Sequence, residues 1–213
     1  MLARILFVCV MFFQLPVATV AAQAAEQWEA GKHYKVLPYP VRTRNADKVE
    51  VVELFWYGCP HCYTLNPVVH HWAKQQADDV DFWLSPAVFG GTWKTHAQAF
   101  YTAEVLGIGN KMHQPLFDAI VRDRKKLNNE ASLAEFFSKF GVDKKKFKKA
   151  FNSFAVSTRL QQADSRGRSY RATEVPALVV NGKYLVSSRL AGGREKMFEV
   201  VDHLVNKERN AQK

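Results

Sequence analysis

Cysteine is scarce in this chain: there are three among 213 residues, and two of them, Cys59 and Cys62, are separated only by Pro60 and His61. That scarcity excludes a disulfide framework of the kind that staples small exported domains. A loop this short removes little entropy from the unfolded chain, so the pair makes a weak staple and reactivity explains it better. A second cysteine pair is missing as well, so a zinc site would have to recruit His70, His71 or His96, and no metal is expected. Tyr63, not histidine, follows Cys62, which removes covalent haem attachment. Repeats and low-complexity stretches are absent. Acidic residues are the minority, 20 against 30 lysines and arginines, for a formal net charge of +10. Such a balance admits nucleic acid or an anionic surface as partner. The one dense run, Asp143 to Phe151, has a plainer reading: Phe147, Ala150, Phe151 and Phe154 share a helical face and the lysines take the solvated one. No nucleic-acid motif accompanies it, and no nucleic-acid partner is expected.

What the chain does have begins with a leader. Arg4 is the only charged residue before Glu26; it precedes an apolar run from Ile5 to Val17 and the small-residue stretch Ala18 to Ala24. That order is the pattern of a cleaved export signal, with cleavage after Ala24. The apolar run is short for a membrane span, and Pro16 interrupts its end. Cys9 lies inside that run and leaves with it, so the mature chain keeps only Cys59 and Cys62. With 47% hydrophobic and 13% aromatic residues, the remainder has ample core material for a globular fold.

Tyr34 to Leu37 predicts a short edge strand closed by Pro38 and Pro40. Val49 to Tyr57 is apolar on both alternating faces, as in a central strand buried on both sides. Gly58 ends it, and Cys59 opens a helix running to about Ala77, with Leu65, Val68, Val69, Trp72 and Ala73 at helical spacing. Val80 to Val88 reads as a second core strand, ended by Gly90-Gly91. From Thr92 to about Arg171 the pattern is a series of amphipathic helices, one of them starting at a capping box, Ser132 to Glu135. Strands return at Ala177 to Val180 and Lys183 to Val186, joined by the hairpin signal Asn181-Gly182. A last helix carries Met197, Val200, Val201 and Leu204 on one side. The expected class is an α/β core interrupted by an all-helical insertion.

A cysteine at a helix start is placed to react. Cys59 would be the N-cap, with Pro60 at the first helical position, where its missing N–H costs nothing. The free N–H groups of the first turn, the helix dipole and a protonated His61 all favour a Cys59 thiolate and lower its pKa. Cys62, one turn deeper, is then the shielded, resolving thiol. Stabilising the reduced form makes the disulfide an oxidant of other thiols. Glu53 interrupts the buried strand, and two readings stand: a proton acceptor for Cys62 or a satisfied structural carboxylate. Trp56 and Tyr57 could form an apolar rim for unfolded chains or pack in the core. Physics alone favours a trans Val175–Pro176 bond.

Taken together, Glu53 to Tyr63 with its Cys-Pro-His-Cys motif, Phe89-Gly90-Gly91, Phe151 to Phe154, and Val175-Pro176-Ala177 through Tyr184 resemble the DsbA family of bacterial periplasmic thiol oxidants. The resemblance covers essentially the whole mature chain. It implies a thioredoxin-like fold with an inserted all-helical domain: residues 1–24 as signal, 25–89 and 166–213 as the core, and 90–165 as the insertion. It implies Cys59 as nucleophile, Cys62 as its buried partner, and Glu53 as a proton-relay carboxylate. It further implies a cis Val175–Pro176 bond facing Cys59, where the Val175 backbone binds substrate. The implied partners are unfolded or newly exported proteins with free cysteines and a DsbB-like, quinone-linked membrane oxidase. The implied setting is the periplasm, with the protein a monomer needing no cofactor beyond its own disulfide. One departure is that some family members carry a lysine near the buried glutamate on the following strand, where Asp81 to Ser85 offers none. The alternatives are a reductase or isomerase on the same fold, or a metal- or haem-handling thiol chaperone.

Overall fold

The structure is a computed structural model that describes residues 27–211. The expected signal, residues 1–24, lies outside the described residues. Five strands form one sheet in the order β1-β5-β4-β2-β3: β1 Lys35–Val36, β2 Val49–Phe55, β3 Val80–Pro86, β4 Ala177–Val180 and β5 Tyr184–Ser187. β2 and β3 run parallel, and the other pairs are antiparallel. The parallel pair needs a crossover, supplied by α1, Pro60–Gln75. Every residue of β2 is buried, as its two apolar faces require.

Strand alternation sorts β2 into two faces. Val49 and Val51 pack beneath Leu65, Val69 and Trp72 of α1 and beneath Met197, Val200 and Leu204 of the last helix, α8 Arg194–Ala211. Val52 and Leu54 face the other way, toward Leu37, Tyr170 and Leu185. Glu53 is therefore on the face that α1 covers. At the β4–β5 hairpin the register of Val180 opposite Tyr184 leaves three residues in the loop; Asn181 and Gly182 both have positive φ, 48° and 60°, and the Lys183 N–H closes the turn on the Val180 carbonyl at 2.9 Å. Buried Glu208 of α8 accepts from Asn181, Lys183 and Tyr184 and ties that hairpin down.

Between β3 and β4 the chain is helical, as expected: α2 Gly91–Val105, α3 Gly109–Phe117, a π-helical turn Asp118–Arg122, α4 Glu130–Ser138, α5 Lys144–Phe151 and α6 Phe154–Ser169. A four-residue α7, Ser188–Ala191, follows β5 and was not anticipated from the sequence. The helices between β3 and β4 bury their own core of Leu133, Phe137, Phe147 and Leu160, which merges with Phe55, Tyr57, Cys59 and Cys62.

Two local expectations are corrected. The α4 cap is Asn129, whose side chain accepts the Ser132 N–H at 2.9 Å, so the helix starts ahead of the expected capping box. Phe154 does not join the apolar face of α5. Ser153 caps a new helix by accepting the Val156 N–H, and this leaves Phe154 87% exposed.

Candidate active site

β2 ends at Phe55, and a turn closed by the Cys59 N–H on the Trp56 carbonyl (2.9 Å) delivers Cys59 to the N-cap of α1. Gly58 leaves room in that turn for the Trp56 ring: a Cβ there would lie 2.3 Å from it, so the ring would have to shift. Trp56 stacks on Trp93 of α2 with ring centroids 4.0 Å apart. Tyr57 is buried, its hydroxyl 3.0 Å from His113 Nδ1 of α3. Of the two readings of Tyr57, the structure supports core packing.

Pro60 takes the first helical position and is exposed, as is His61. The Cys62 N–H donates to the Cys59 sulfur at 3.3 Å. Both cysteines are free thiols, and both are buried. Cys59 retains 7% exposure where Cys62 has none, so Cys59 is the accessible member but less open than the sequence suggested. The cover comes partly from the Val175 carbonyl, 3.7 Å from the Cys59 sulfur. The Val175–Pro176 bond is cis, against the simple statistical preference and in line with the resemblance.

These contacts separate the two thiols. Cys59 is lowered from 9.0 to about 6: a hydrogen bond from the Cys62 thiol contributes most, and the N–H groups of Cys62 and His61 and the His61 charge add to it against desolvation. Cys62 is pushed up, first by burial and then by its hydrogen bond to Cys59. The two thiols are thus set apart by position on one helix turn.

Glu53 is 2% exposed, opposite Leu84 of β3 and Leu178 of β4. Burial, then the Cys59 charge, raise its carboxyl from 4.5 to about 8. Among the described residues nothing hydrogen-bonds Oε2, and no cation pairs with the group. The sequence passed over its neighbour Glu50, which is equally buried on the opposite face. Glu50 is satisfied, accepting from the Arg44 N–H and the Trp83 indole at 3.0 Å each. Glu50 is the structural carboxylate of the strand, and Glu53 is the unsatisfied one.

The structure therefore gathers Cys59, Cys62, Pro60, His61, Val175 and Pro176 at one end of the sheet, with Glu53 coupled electrostatically from beneath α1. No group of three or more His, Cys, Asp or Glu converges as a metal site among the described residues. The sequence missed His113 and Asn66, which sit in a hydrogen-bonded chain with Tyr57. Nothing in the linear pattern marked them, since they meet only through the fold.

The family described as "DSBA-like thioredoxin domain" matches residues 85–205. The chain is 43% identical over 194 residues to the thiol:disulfide interchange protein DsbA of Pseudomonas syringae pv. tomato, covering 91% of each. It is also 43% identical to DsbA of Pseudomonas aeruginosa PAO1, over 91% of this chain and 92% of that one. The crystal structure of Pseudomonas aeruginosa DsbA superposes with a TM-score of 0.84 at 42% identity, covering 88% of this chain and 98% of the other. DsbA from Xylella fastidiosa superposes with a TM-score of 0.80 at 35% identity, covering 85% and 98%.

Proposed function

The chain belongs to the DSBA-like thioredoxin family, and from that premise we propose that Cys59 and Cys62 form the disulfide it donates, with Cys59 the sulfur that substrates attack. It is a thiol–disulfide oxidoreductase with a thioredoxin-like fold and a helical insertion. The observation that carries the assignment of roles is the Cys62 N–H on the Cys59 sulfur, together with the lowering of the Cys59 thiol to about 6.

The reaction balances as two exchanges. A substrate thiolate attacks Cys59; the Cys59–Cys62 bond breaks and its electron pair leaves on Cys62. Glu53, near 8 and so largely protonated at neutral pH, supplies a proton to that buried sulfur, which strongly favours the thiol. A second substrate thiolate then attacks the substrate sulfur of the mixed disulfide, and Cys59 departs as a stabilised thiolate. Two electrons pass from substrate to protein. Pro60 starts the helix without a wasted donor, and His61 adds positive charge beside Cys59. The Val175 carbonyl, 3.7 Å from the Cys59 sulfur, would pair with an extended substrate segment, with Pro176 buried behind it.

The substrates in this reading are unfolded or newly exported proteins with free cysteines, met in the periplasm after residues 1–24 are removed. Residues 25–89 and 166–213 act as the core and 90–165 as the insertion. No described helix is long and apolar enough to cross a membrane. The protein works as a monomer. It must regain its disulfide after each turnover, which a DsbB-like, quinone-linked membrane oxidase would supply. A Cys62→Ala variant in cells tests the roles: Cys59 should accumulate mixed disulfides, visible as reducible high-mass bands. Folded variant without such bands contradicts Cys59 as the attacked sulfur.

A further inference from the structure

A single hydrogen-bonded chain runs from exposed Gln114, on the helices inserted between β3 and β4, inward to the buried edge of the redox centre. Gln114 Nε2 donates to the Asp118 carboxylate at 2.8 Å, and Asn66 Nδ2 donates to Gln114 Oε1 at 2.7 Å. Asn66 Oδ1 lies 3.0 Å from His113 Nε2, and His113 Nδ1 lies 3.0 Å from the Tyr57 hydroxyl. The carboxylate fixes every direction in this chain, because it can only accept. Gln114 must present its nitrogen to Asp118 and its oxygen to Asn66; Asn66 then has only its oxygen left for His113. His113 Nε2 must therefore carry the proton, and Nδ1 accepts from Tyr57.

We propose that His113 is a positioning residue of the redox centre: held as the neutral Nε2–H tautomer, it ties the turn that presents Cys59 to the helix that carries Cys62. Tyr57 lies inside the turn closed by the Cys59 N–H on Trp56. Asn66 lies four residues beyond Cys62 on α1, on the same helical face. The relay thus indexes the turn against the first turn of α1, and that relationship sets the 3.3 Å contact between the Cys62 N–H and the Cys59 sulfur. On the other side of the turn, Trp93 grips Trp56 from α2, so the inserted helices hold the Cys59 turn at two adjacent residues.

The surroundings keep His113 neutral. It is buried, with Phe55, Phe100 and Phe117 at ring distances of 5.1, 6.2 and 5.1 Å. His70 is 5.8 Å away, and burial followed by that neighbour lowers the His113 pKa to about 3. Its other titratable contact is Tyr57, which donates to it. Asp118, at the far end of the relay, is also paired with Arg122 at 3.2 Å.

The inference rests on the reading of Cys59 as the attacked sulfur, but its first test does not. Nitrogen-15 NMR of the reduced protein between pH 4.5 and 8 should show a protonated Nε2, an unprotonated Nδ1 and no titration of His113. An Nδ1–H tautomer, or a midpoint near the usual histidine value of about 6.5, overturns the proposal. The second test compares Tyr57→Phe, His113→Phe and the double variant. Each should raise the apparent Cys59 pKa and shift the glutathione equilibrium toward the disulfide, about tenfold per unit. The double variant should do no more than either single one. A relay that is merely structural would lower Tm and leave the Cys59 pKa at its wild-type value, which overturns the positioning role. Tyr57→Phe removes one oxygen and supplies the reading if His113→Phe does not fold. Should Cys59 itself be misassigned, trapping with Cys62→Ala fails while the His113 tautomer stands.

Discussion

Cys62 donates its backbone N–H to the Cys59 sulfur at 3.3 Å, so the residue that holds the buried thiol also stabilises the thiolate of its neighbour. Both groups lie in one helix turn, where the dipole adds to the same effect. The hydrogen bond from the Cys62 thiol to the same sulfur contributes most, and together these hold the Cys59 thiol at about 6 in place of 9.0.

Reactivity should follow that shift. Alkylation of reduced protein by iodoacetamide is expected to rise with a midpoint near pH 6 and to modify Cys59 first, Cys62 staying protected. Because the folded value is depressed, the thiolate's contribution to stability is fully present above the unfolded value of 9.0 and is lost as pH falls through about 6. The reduced protein should therefore lose stability relative to the oxidised protein on acidification. Denaturation of both forms between pH 5 and 9 checks the sign.

The two buried carboxylates of β2 should respond oppositely to amide substitution. Glu53 is raised from 4.5 to about 8, so the stability it contributes in its neutral form is fully present below 4.5 and is lost as pH rises to 8. Glu53→Gln removes the charge, and at pH 8 it should stabilise the protein by on the order of 4 kcal/mol. It should also slow disulfide exchange by about a hundredfold, as expected for loss of a proton carrier. Glu50→Gln breaks a satisfied acceptor and should destabilise by roughly 1–3 kcal/mol. Urea melts at pH 8 and stopped-flow exchange with a thiol peptide separate the two cases.

Gly58→Ala should disturb the site without touching a thiol. The added methyl meets the Trp56 ring and displaces it from Trp93. A changed tryptophan emission together with a raised Cys59 pKa is the expected pair of signals. Unchanged fluorescence would show that the turn absorbs the methyl.

The face of α5 can be tested by its corrected boundary. Phe147 is fully buried and Phe154 is 87% exposed. Phe147→Ala should cost about 3–5 kcal/mol, whereas Phe154→Ser should stay within about 0.5 kcal/mol. Chemical denaturation of the two variants decides it.

What the sequence revealed was what is local. The buried strand through Phe55, the Cys-Pro-His-Cys helix start and the Asn181-Gly182 hairpin follow from alternation, capping and turn chemistry read over a few residues. Glu53 stood out because no apolar strand tolerates a carboxylate freely. Glu50 was overlooked because its partners, Arg44 and Trp83, arrive from outside the strand. His113 was invisible for the same reason, meeting Tyr57 across 56 residues and Asn66 across 47. The α4 and α6 starts were misplaced because Asn129 and Ser153 are capping residues that read equally well as loop.

Equilibration of Cys59–Cys62 against mixtures of reduced and oxidised glutathione tests most directly whether the stabilised Cys59 thiolate makes this disulfide an oxidant. The pair is expected to stay largely dithiol until oxidised glutathione is in clear excess, with a potential more oxidising than the glutathione couple. A disulfide that persists in millimolar reduced glutathione contradicts it.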